Sequence, residues 1–415
     1  NGAFLPSYSL GADMANKDLK WETTITRNIG VDFGFFNSRL TGTIDAYWNT
    51  TKDLLMKTAI PGITGFTSTY ANVGQTSNKG IEIALQGVLV KTRDWNVTAG
   101  FNINFNRGKV DKLADNVTGL YGTEWATSST FPKSDYVLKE GRPVGLVRGL
   151  TADGFYTTDD FTYENGVYTL KEGVADVSSA VFPNYHLHNG MNERPAGQLA
   201  YPGMAKFKDL NDDGIINDDD VDVIGDMTPV HTGGFNINAT YKNFDLGLYF
   251  NWSYGNEIYN VNKLAALYGY KEGAVYENKL SIVKDCYKIY DVVNGELVAL
   301  TTPEQLNAAN ANAKLPLAYS ENGYVSTLGI EDGSYLRLNT LTLGYTLPKS
   351  MLQKAGISNL RVYGSIYNVF TITGYSGIDA EVSTSTSTKT YPQLGMDWGT
   401  YPRARSFVLG VNLSF

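Results

Sequence analysis

The chain has 415 residues, a formal net charge of −8 and 18 % charged residues, fewer than the roughly 25 % usual for soluble domains. Because no run of Lys or Arg accompanies the acidic balance, we expect no nucleic-acid partner. The single cysteine, Cys286, excludes a disulfide framework within the chain. No run of 18 or more apolar residues is present, as a transmembrane helix would require.

Alternation of apolar and polar residues, which is typical of β-strands, recurs along the chain. The clearest example runs from Trp95 to Asn106, where every second residue is apolar and the others are Asn, Thr or Gly. Between Leu338 and Leu341 the alternation shifts by one residue, as a β-bulge would produce. The pattern predicts nine strands, at residues 19–36, 39–51, 77–92, 94–107, 232–241, 244–256, 335–347, 360–371 and 403–415.

The connections between the predicted strands alternate in length. The short ones lie at 37–38, 92–94, 242–243 and 348–358. The long ones lie at 52–76, 109–230, 259–331 and 372–402. Short periplasmic turns and long extracellular loops alternate in this way in membrane barrels. The sequence therefore predicts an all-β fold, a transmembrane antiparallel up-and-down β-barrel. A secreted β-sandwich with a binding or adhesion function is the alternative.

The predicted number of strands is odd, whereas single-chain bacterial barrels have even numbers. An incomplete barrel would leave an open sheet edge in lipid, where unpaired backbone groups are not tolerated. We therefore expect the chain to be the C-terminal part of a larger barrel, with the remaining strands elsewhere.

An acidic stretch in the longest loop has the spacing of a calcium-binding loop. Asp209, Asn211 and Asp213 occupy positions 1, 3 and 5 of such a loop, and Gly214 at position 6 permits the sharp turn. The further predicted ligands, at positions 7, 9 and 12, are the backbone carbonyl of Ile215 and the side chains of Asn217 and Asp220. We expect Ca²⁺ to brace the loop. A solvated turn without metal and a different cation are the alternatives.

Aromatic residues in the long loops are candidates for contact with a carried molecule, because they offer flat apolar faces and hydroxyl groups. They are Tyr121, Trp125, Tyr156, Tyr163, Tyr185 and Tyr201. The alternative, favoured for any single residue, is that they pack the loops. His186 and His188 have no third metal ligand at a suitable spacing. Because no nucleophile or cofactor motif is found either, we expect no enzyme activity.

Several short motifs occur together in one order along the chain. They include Asp18-Leu-Lys-Trp-Glu22, Asn78-Lys-Gly-Ile-Glu82, Glu140-Gly-Arg-Pro-Val-Gly145, Lys208-Asp-Leu-Asn-Asp-Asp-Gly214 and Tyr367-Asn-Val-Phe370. In this order they resemble the C-terminal part of the SusC/RagA family of TonB-dependent outer-membrane transporters of Bacteroidetes. The resemblance runs nearly from end to end.

The resemblance implies a 22-stranded, multi-pass barrel in the outer membrane, with this chain as the last nine strands and a plug domain outside it. It also implies active nutrient import, with energy from the TonB complex and a SusD-like lipoprotein as an extracellular lid. The expected substrates are oligosaccharides, with oligopeptides as the alternative. Loops 109–230 and 259–331 would form the rim that binds the lid and part of the substrate cavity. A passive porin is the second functional class.

Overall fold

The computed structural model describes residues 13–113, 119–182, 194–268, 278–318, 323–353, 356–384 and 393–415. Within them, nine long strands form one antiparallel sheet, and each strand pairs with the next in the chain. They are β1 (Thr23–Phe35), β2 (Leu40–Ala59), β3 (Ser68–Lys91), β4 (Trp95–Lys112), β5 (His231–Tyr241), β6 (Phe244–Tyr254), β7 (Tyr335–Thr346), β8 (Asn359–Thr373) and β9 (Ser406–Ser414).

The sheet follows the chain order and is open. A two-residue strand, Asp13–Met14, pairs in parallel with the start of β3. β1 and β9 form the two ends of the strand order, and within the described ranges they do not pair with each other. The predicted antiparallel up-and-down order is therefore confirmed, and the sheet does not close on itself within the described residues.

The sheet has one apolar face and one polar face. Residues paired across neighbouring strands lie on the same face, so rows of paired residues show the character of each face. A row of paired residues from β3 to β8 consists of Leu85, Phe101, Phe235, Phe250, Leu338 and Phe370. The next row, on the opposite face of the same strands, consists of Ala84, Asn102, Gly234, Asn251, Arg337 and Thr371. The alternation in the sequence thus becomes one apolar and one polar face.

Aromatic residues mark both ends of the apolar face. At one end Trp95 packs on Tyr241, with ring centroids 4.4 Å apart, and at the other Phe105 lies 5.4 Å from the ring of His231. Ten residues of β4 separate Trp95 from Phe105, or roughly 33 Å at about 3.3 Å per residue. At a strand tilt of about 40° this corresponds to roughly 25 Å along a barrel axis, the height of the apolar band of an outer-membrane barrel.

The predicted loop at 52–76 is wrong for most of its length. β2 and β3 extend towards each other through this region and leave only 60–67 as their connection. The pairing of the two strands shifts register between Thr51 and Leu54, where Asp53 has a φ of 57°. Because this bulge interrupts the alternation while pairing continues beyond it, the sequence pattern ends before the strand does.

The bulge expected in β7 is present. Phe250 and Tyr249 are adjacent in β6, but their partners Leu338 and Thr340 in β7 are separated by Asn339, which is the extra residue of the bulge. In β8, opposite this bulge, Asn368 has a φ of 54°, which asparagine tolerates better than most residues. The shift of parity seen in the sequence therefore has the cause that was predicted for it.

The connections at the end of the sheet near Trp95 are short, and three of those at the other end are long. The short ones are 36–39, 92–94, 242–243 and 347–358. The long ones run through 113–230, 255–334 and 374–405. Their described residues form a separate folded layer, hereafter the loop body. Three of the four predicted long connections are long, and the connection at 60–67, which is short, breaks the predicted alternation.

The loop body is built from elements too short to give a repeating sequence pattern. Its strands are Leu120–Gly122, Thr130–Phe131, Tyr136–Leu138, Leu146–Leu150, Ala152–Phe155, Phe161–Glu164, Val167–Leu170, Asp176–Val177, Ala205–Phe207, Ile215–Ile216, Val221–Asp226, Glu257–Asn260, Tyr290–Val293, Glu296–Ala299, Gly323–Tyr324, Ile330–Asp332 and Met396–Asp397. The helices of the described chain are α1 (Val261–Tyr268), α2 (Pro303–Asn310) and, between β7 and β8, α3 (Lys349–Leu352). None of the helices in the described ranges is long and apolar enough to cross a membrane.

Candidate functional site

The loop body has a hydrophobic core of its own, rich in tyrosine. Tyr168 and Tyr201 have no exposed surface and pack edge to face, with ring centroids 5.5 Å apart. Phe207 packs in the same way against Tyr324 at 5.1 Å. Aromatic pairs in this geometry contribute about 0.5–1.5 kcal/mol beyond their buried area. The layer above the sheet is therefore a folded body rather than a set of independent loops.

The three long connections are joined to one another. Glu257–Asn260 pairs with Ile330–Asp332 and with Met396–Asp397, which links the second connection to the third. The hydroxyl of Tyr136, in the first connection, donates to the carbonyl oxygen of Leu394 in the third at 2.7 Å. Because each connection completes the hydrogen bonding of another, the three form one surface.

Two of the six predicted substrate-contact residues lie inside this core. Tyr156 and Tyr201 are 0 % exposed, and the hydroxyl of Tyr156 donates to the carbonyl oxygen of Ala175 at 2.6 Å. Burial raises the pKa of the Tyr156 hydroxyl well above its ordinary value. A side chain without exposed surface does not reach a dissolved ligand, so this arrangement gives no support to a substrate role for either residue.

The other aromatic candidates differ in their exposure. Tyr163 packs on the ring of Tyr168 at 4.6 Å, and Trp125 stacks on Tyr268 at 5.7 Å, so both take part in the loop packing. Tyr121 is 53 % exposed, and its ring lies 4.7 Å from the guanidinium carbon of Arg148. Tyr121 is thus a predicted contact residue that presents its ring to the surface. Tyr185, like His186 and His188, lies outside the described residues.

The predicted calcium loop is organised by hydrogen bonds between its side chains and its own backbone. The two carboxylate oxygens of Asp209 accept the backbone N–H groups of Asp213 at 3.3 Å and Gly214 at 2.7 Å. Asp213 in turn accepts the backbone N–H of Ile215 at 2.9 Å and the side-chain amide of Asn211 at 2.9 Å. These bonds hold the pKa of the Asp213 carboxyl below its usual value.

The final predicted ligands are arranged differently. Asp220 is fully buried, and its two oxygens accept the backbone N–H groups of Leu210 at 2.7 Å and Asn217 at 2.8 Å. Asn217 caps the 3₁₀ turn Asp218–Asp220 and donates its amide to the carbonyl oxygen of Ile215 at 3.1 Å. The loop is thus closed by the residues that were expected to close it around an ion.

Among the predicted ligands, the carboxylates of Asp209 and Asp213 fit calcium better than that of Asp220. A carboxylate has about four lone-pair sites, so Asp209 and Asp213 retain acceptor capacity beyond their present bonds. The oxygens of Asp220 are engaged with the backbone in a buried position. In the described part of the chain, no group of three or more His, Cys, Asp or Glu side chains is placed to hold one metal ion. Calcium binding stays a prediction.

A groove of about 580 Å³ runs across the polar face of β1 to β6. Its lining includes the polar side chains of Asn102, Asn236 and Tyr249. It also includes glycines, among them Gly100 and Gly234. A Cβ on Gly100 would lie 2.4 Å from the side-chain oxygen of Asn236, so only glycine leaves this approach open. The side-chain oxygen of Asn236 is buried beside the groove and accepts no hydrogen bond from the described residues.

An ionic network that sequence reasoning missed ties the third connection to the polar face. Arg337 of β7 is 2 % exposed and contacts the carboxylate of Asp379 and, at 3.2 Å, that of Glu381. Its Nε also donates to the hydroxyl of Thr371 at 3.0 Å. Arg403 contacts Glu381 at 3.0 Å. In the sequence, Arg337 is only one polar residue on the interior parity of a predicted strand, and nothing marks its distant partners.

A polar-walled strand array capped by a folded loop layer is the arrangement of a transport barrel. A family model described as TonB dependent receptor-like, beta-barrel, matches residues 3–369. The chain belongs to this family. Its members are transporters of the outer membrane and not enzymes, so the predicted location and the expected absence of enzyme activity are confirmed. Membership also excludes the secreted β-sandwich.

Individual relatives agree with this assignment. TonB-dependent receptor P3 of Formosa agariphila is 30 % identical over 408 residues, which are 97 % of this chain and 35 % of that protein. TonB-dependent receptor SusC of Bacteroides thetaiotaomicron is 29 % identical over 408 residues, 96 % of this chain and 32 % of that protein. The solved structure of the RagAB peptide transporter matches with a TM-score of 0.66 and 25 % identity, over 96 % of this chain and 36 % of that chain.

Two conclusions follow from these matches. The resemblance to the SusC/RagA family, inferred from short motifs, is confirmed. The chain also spans about a third of the length of the relatives it matches. The open sheet is consistent with a segment of a larger barrel, because the remaining two thirds of such a relative have no counterpart here.

Proposed function

We propose that this chain forms the last nine strands and the overlying loop body of a 22-stranded TonB-dependent importer. The observation that carries the proposal is the folded layer of three long connections above a sheet with one polar and one apolar face. A passive porin needs an open mouth, whereas a loop body with its own core restricts entry and offers a fixed surface to ligands. The plug and the remaining strands belong to the part of the barrel that this chain does not contain.

The proposed cargo is a nutrient oligomer, in first place an oligosaccharide. The exposed ring of Tyr121 and the uncharged amides of the groove on the polar face suit sugar hydroxyls and ring faces. Oligopeptides are the second candidate, favoured by the similarity of this chain to the RagAB peptide transporter. Both cargoes would use the same route past the loop body and along the polar face.

Three partners accompany this function in our proposal. A SusD-like lipoprotein closes over the loop body as a lid. The TonB complex supplies energy through the plug, outside this chain. Ca²⁺ in the loop 209–220 braces the part of the loop body that follows Ala205–Phe207. The joined hydrogen bonding of the three connections supports the first of these, because a lid needs a surface that does not deform when it opens.

The experiment that tests the proposal is growth and uptake in the native bacterium with and without this transporter. We expect loss of uptake of one class of labelled oligomer, and equal loss when TonB is deleted or the proton gradient is collapsed. Pull-down of the complete transporter in detergent should recover a lipoprotein. Uptake that persists without TonB, together with stable single-channel conductance in planar bilayers, would show a passive pore instead.

A further inference from the structure

A pocket of about 430 Å³ in the loop body is lined by hydroxyl groups and two basic side chains. The segment 128–134 and the segment 179–181 line it. Arg148 and Lys133 supply the positive charges, and Asp218 is the one carboxylate among the described lining residues. The described lining therefore carries a net positive charge in a chain whose formal net charge is −8.

Arg148 is held in place by its neighbours. It lies on the strand Leu146–Leu150, in the middle of a four-stranded sheet of the loop body. One terminal nitrogen donates to the hydroxyl of Ser134 at 2.8 Å, and the guanidinium lies over the ring of Tyr121, 4.7 Å from its centroid. An arginine fixed in this way loses little side-chain entropy when its remaining N–H groups bind an anion.

Lys133 supplies the second charge and has no ion-pair partner in the part of the chain that the structure describes. Its side chain is exposed, and no carboxylate in the described residues forms an ion pair with it. Ser128 and Ser129 line the same pocket with their hydroxyl-bearing side chains, whereas the hydroxyl of Thr130 is already bonded to the backbone of Thr127. A group with several negatively charged acceptor oxygens would satisfy the lysine, the remaining N–H groups of Arg148 and the hydroxyls of Ser128 and Ser129 together.

We propose that this pocket binds a carboxylate group of the cargo, with Lys133 and Arg148 as its charged contacts and the exposed ring of Tyr121 beside it. The inference rests on the proposed import function and narrows its substrate class to acidic oligomers. A carboxylate is carried by uronic acids in an oligosaccharide and by Asp or Glu in an oligopeptide. The pocket would bind the carboxylate group, which acidic oligosaccharides and acidic oligopeptides have in common.

The test is binding by the complete transporter in detergent, measured by calorimetry with two matched pairs of probes. One pair is trigalacturonic acid and its neutral methyl ester. The other is a capped tetrapeptide with two aspartates and the same peptide with asparagines. We expect tight binding of the acidic member of one pair only, which identifies the source of the carboxylate.

The variant Lys133→Met should weaken binding of that acidic probe roughly 10- to 100-fold, the usual effect of losing one charge-assisted hydrogen bond. Lys133→Arg should restore most of the affinity. The control Lys284→Met removes another exposed lysine of the loop body, away from the pocket, and should leave affinity unchanged. Binding of the neutral probes should not respond to any of the three substitutions.

Several outcomes would overturn the inference. They are equal binding of acidic and neutral probes, no binding of either acidic probe, and equal losses in Lys133→Met and Lys284→Met. Because binding in detergent needs neither TonB nor a membrane potential, the import function is judged separately by uptake. If an acidic probe binds in a manner that depends on Lys133 but no uptake is found, the carboxylate site is supported and the import function is refuted.

Discussion

Phe101 tests which face of the sheet meets lipid. Its side chain lies on the apolar face of β4, between Leu85 of β3 and Phe235 of β5. It also stacks on Trp252, with ring centroids 5.6 Å apart. The substitution Phe101→Arg places a charge at this point, whereas Asn102→Arg places the same charge on the next residue and the opposite face.

The position of Phe101 along the strand sets the expected cost. Phe101 is six residues from Trp95 and four from Phe105, the aromatic residues at the two ends of the apolar face. At about 3.3 Å per residue and a tilt of about 40°, it lies roughly 15 Å from the Trp95 level of a band roughly 25 Å tall. This is about 3 Å from the midplane. An arginine facing lipid near the midplane costs about 2–4 kcal/mol.

The assay is reversible unfolding of the complete transporter in phospholipid vesicles, followed by tryptophan fluorescence against guanidinium. We expect Phe101→Arg to lower the free energy of unfolding by about 2–4 kcal/mol. Asn102→Arg should change it by less than about 1 kcal/mol, because its charge enters a wet, polar interior. Equal losses for the two variants, or a larger loss for Asn102→Arg, would refute the assignment of faces.

Two further predictions concern the loop body. The double variant Asp209→Ala, Asp213→Ala should remove the stabilisation by calcium, about 2.7 kcal/mol at a concentration 100 times Kd. A melting temperature of the unaltered protein that is the same with chelator and with excess Ca²⁺ would contradict metal binding. Asp160 is desolvated, but its bonds to Lys206 and Thr157 outweigh this and hold its pKa below the ordinary value. Its contribution, about 1 kcal/mol, is therefore complete above its unfolded pKa of about 3.9 and is lost as pH falls through the folded pKa. Melting of Asp160→Asn between pH 7 and pH 2 should show a smaller loss on acidification, and an unchanged profile would speak against this ion pair.

Local patterns accounted for the wall of the barrel. Alternation with a period of two is a property of each strand by itself, so all nine strands and both faces were predictable from neighbouring residues. Even the bulge at Leu338 left a visible shift of parity. The main error was the predicted loop at 52–76. The register shift between Thr51 and Leu54 interrupts the alternation, so the sequence did not show that β2 and β3 continue to pair beyond it.

The structure of the loop body could not be predicted from local sequence patterns. Its strands have two to six residues, too few for a period to be recognised. Its tyrosines look alike in the sequence, yet Tyr201 is fully buried while Tyr121 is 53 % exposed. Spacing alone also matched the acidic stretch at 209–220 to a calcium loop, but it did not reveal that Asp220 is buried against the backbone.

The sequence by itself predicted a membrane barrel, the polar and apolar faces of its strands and the family to which the chain belongs. Only the tertiary structure decided which loop residues are core, which are surface, and where the charges meet. Tyr136 bonds to Leu394, 258 residues away, and Arg337 meets Asp379 across a loop. The physical reason is range: backbone alternation is set by adjacent residues, whereas burial and ion pairing depend on segments that only the folded chain brings together.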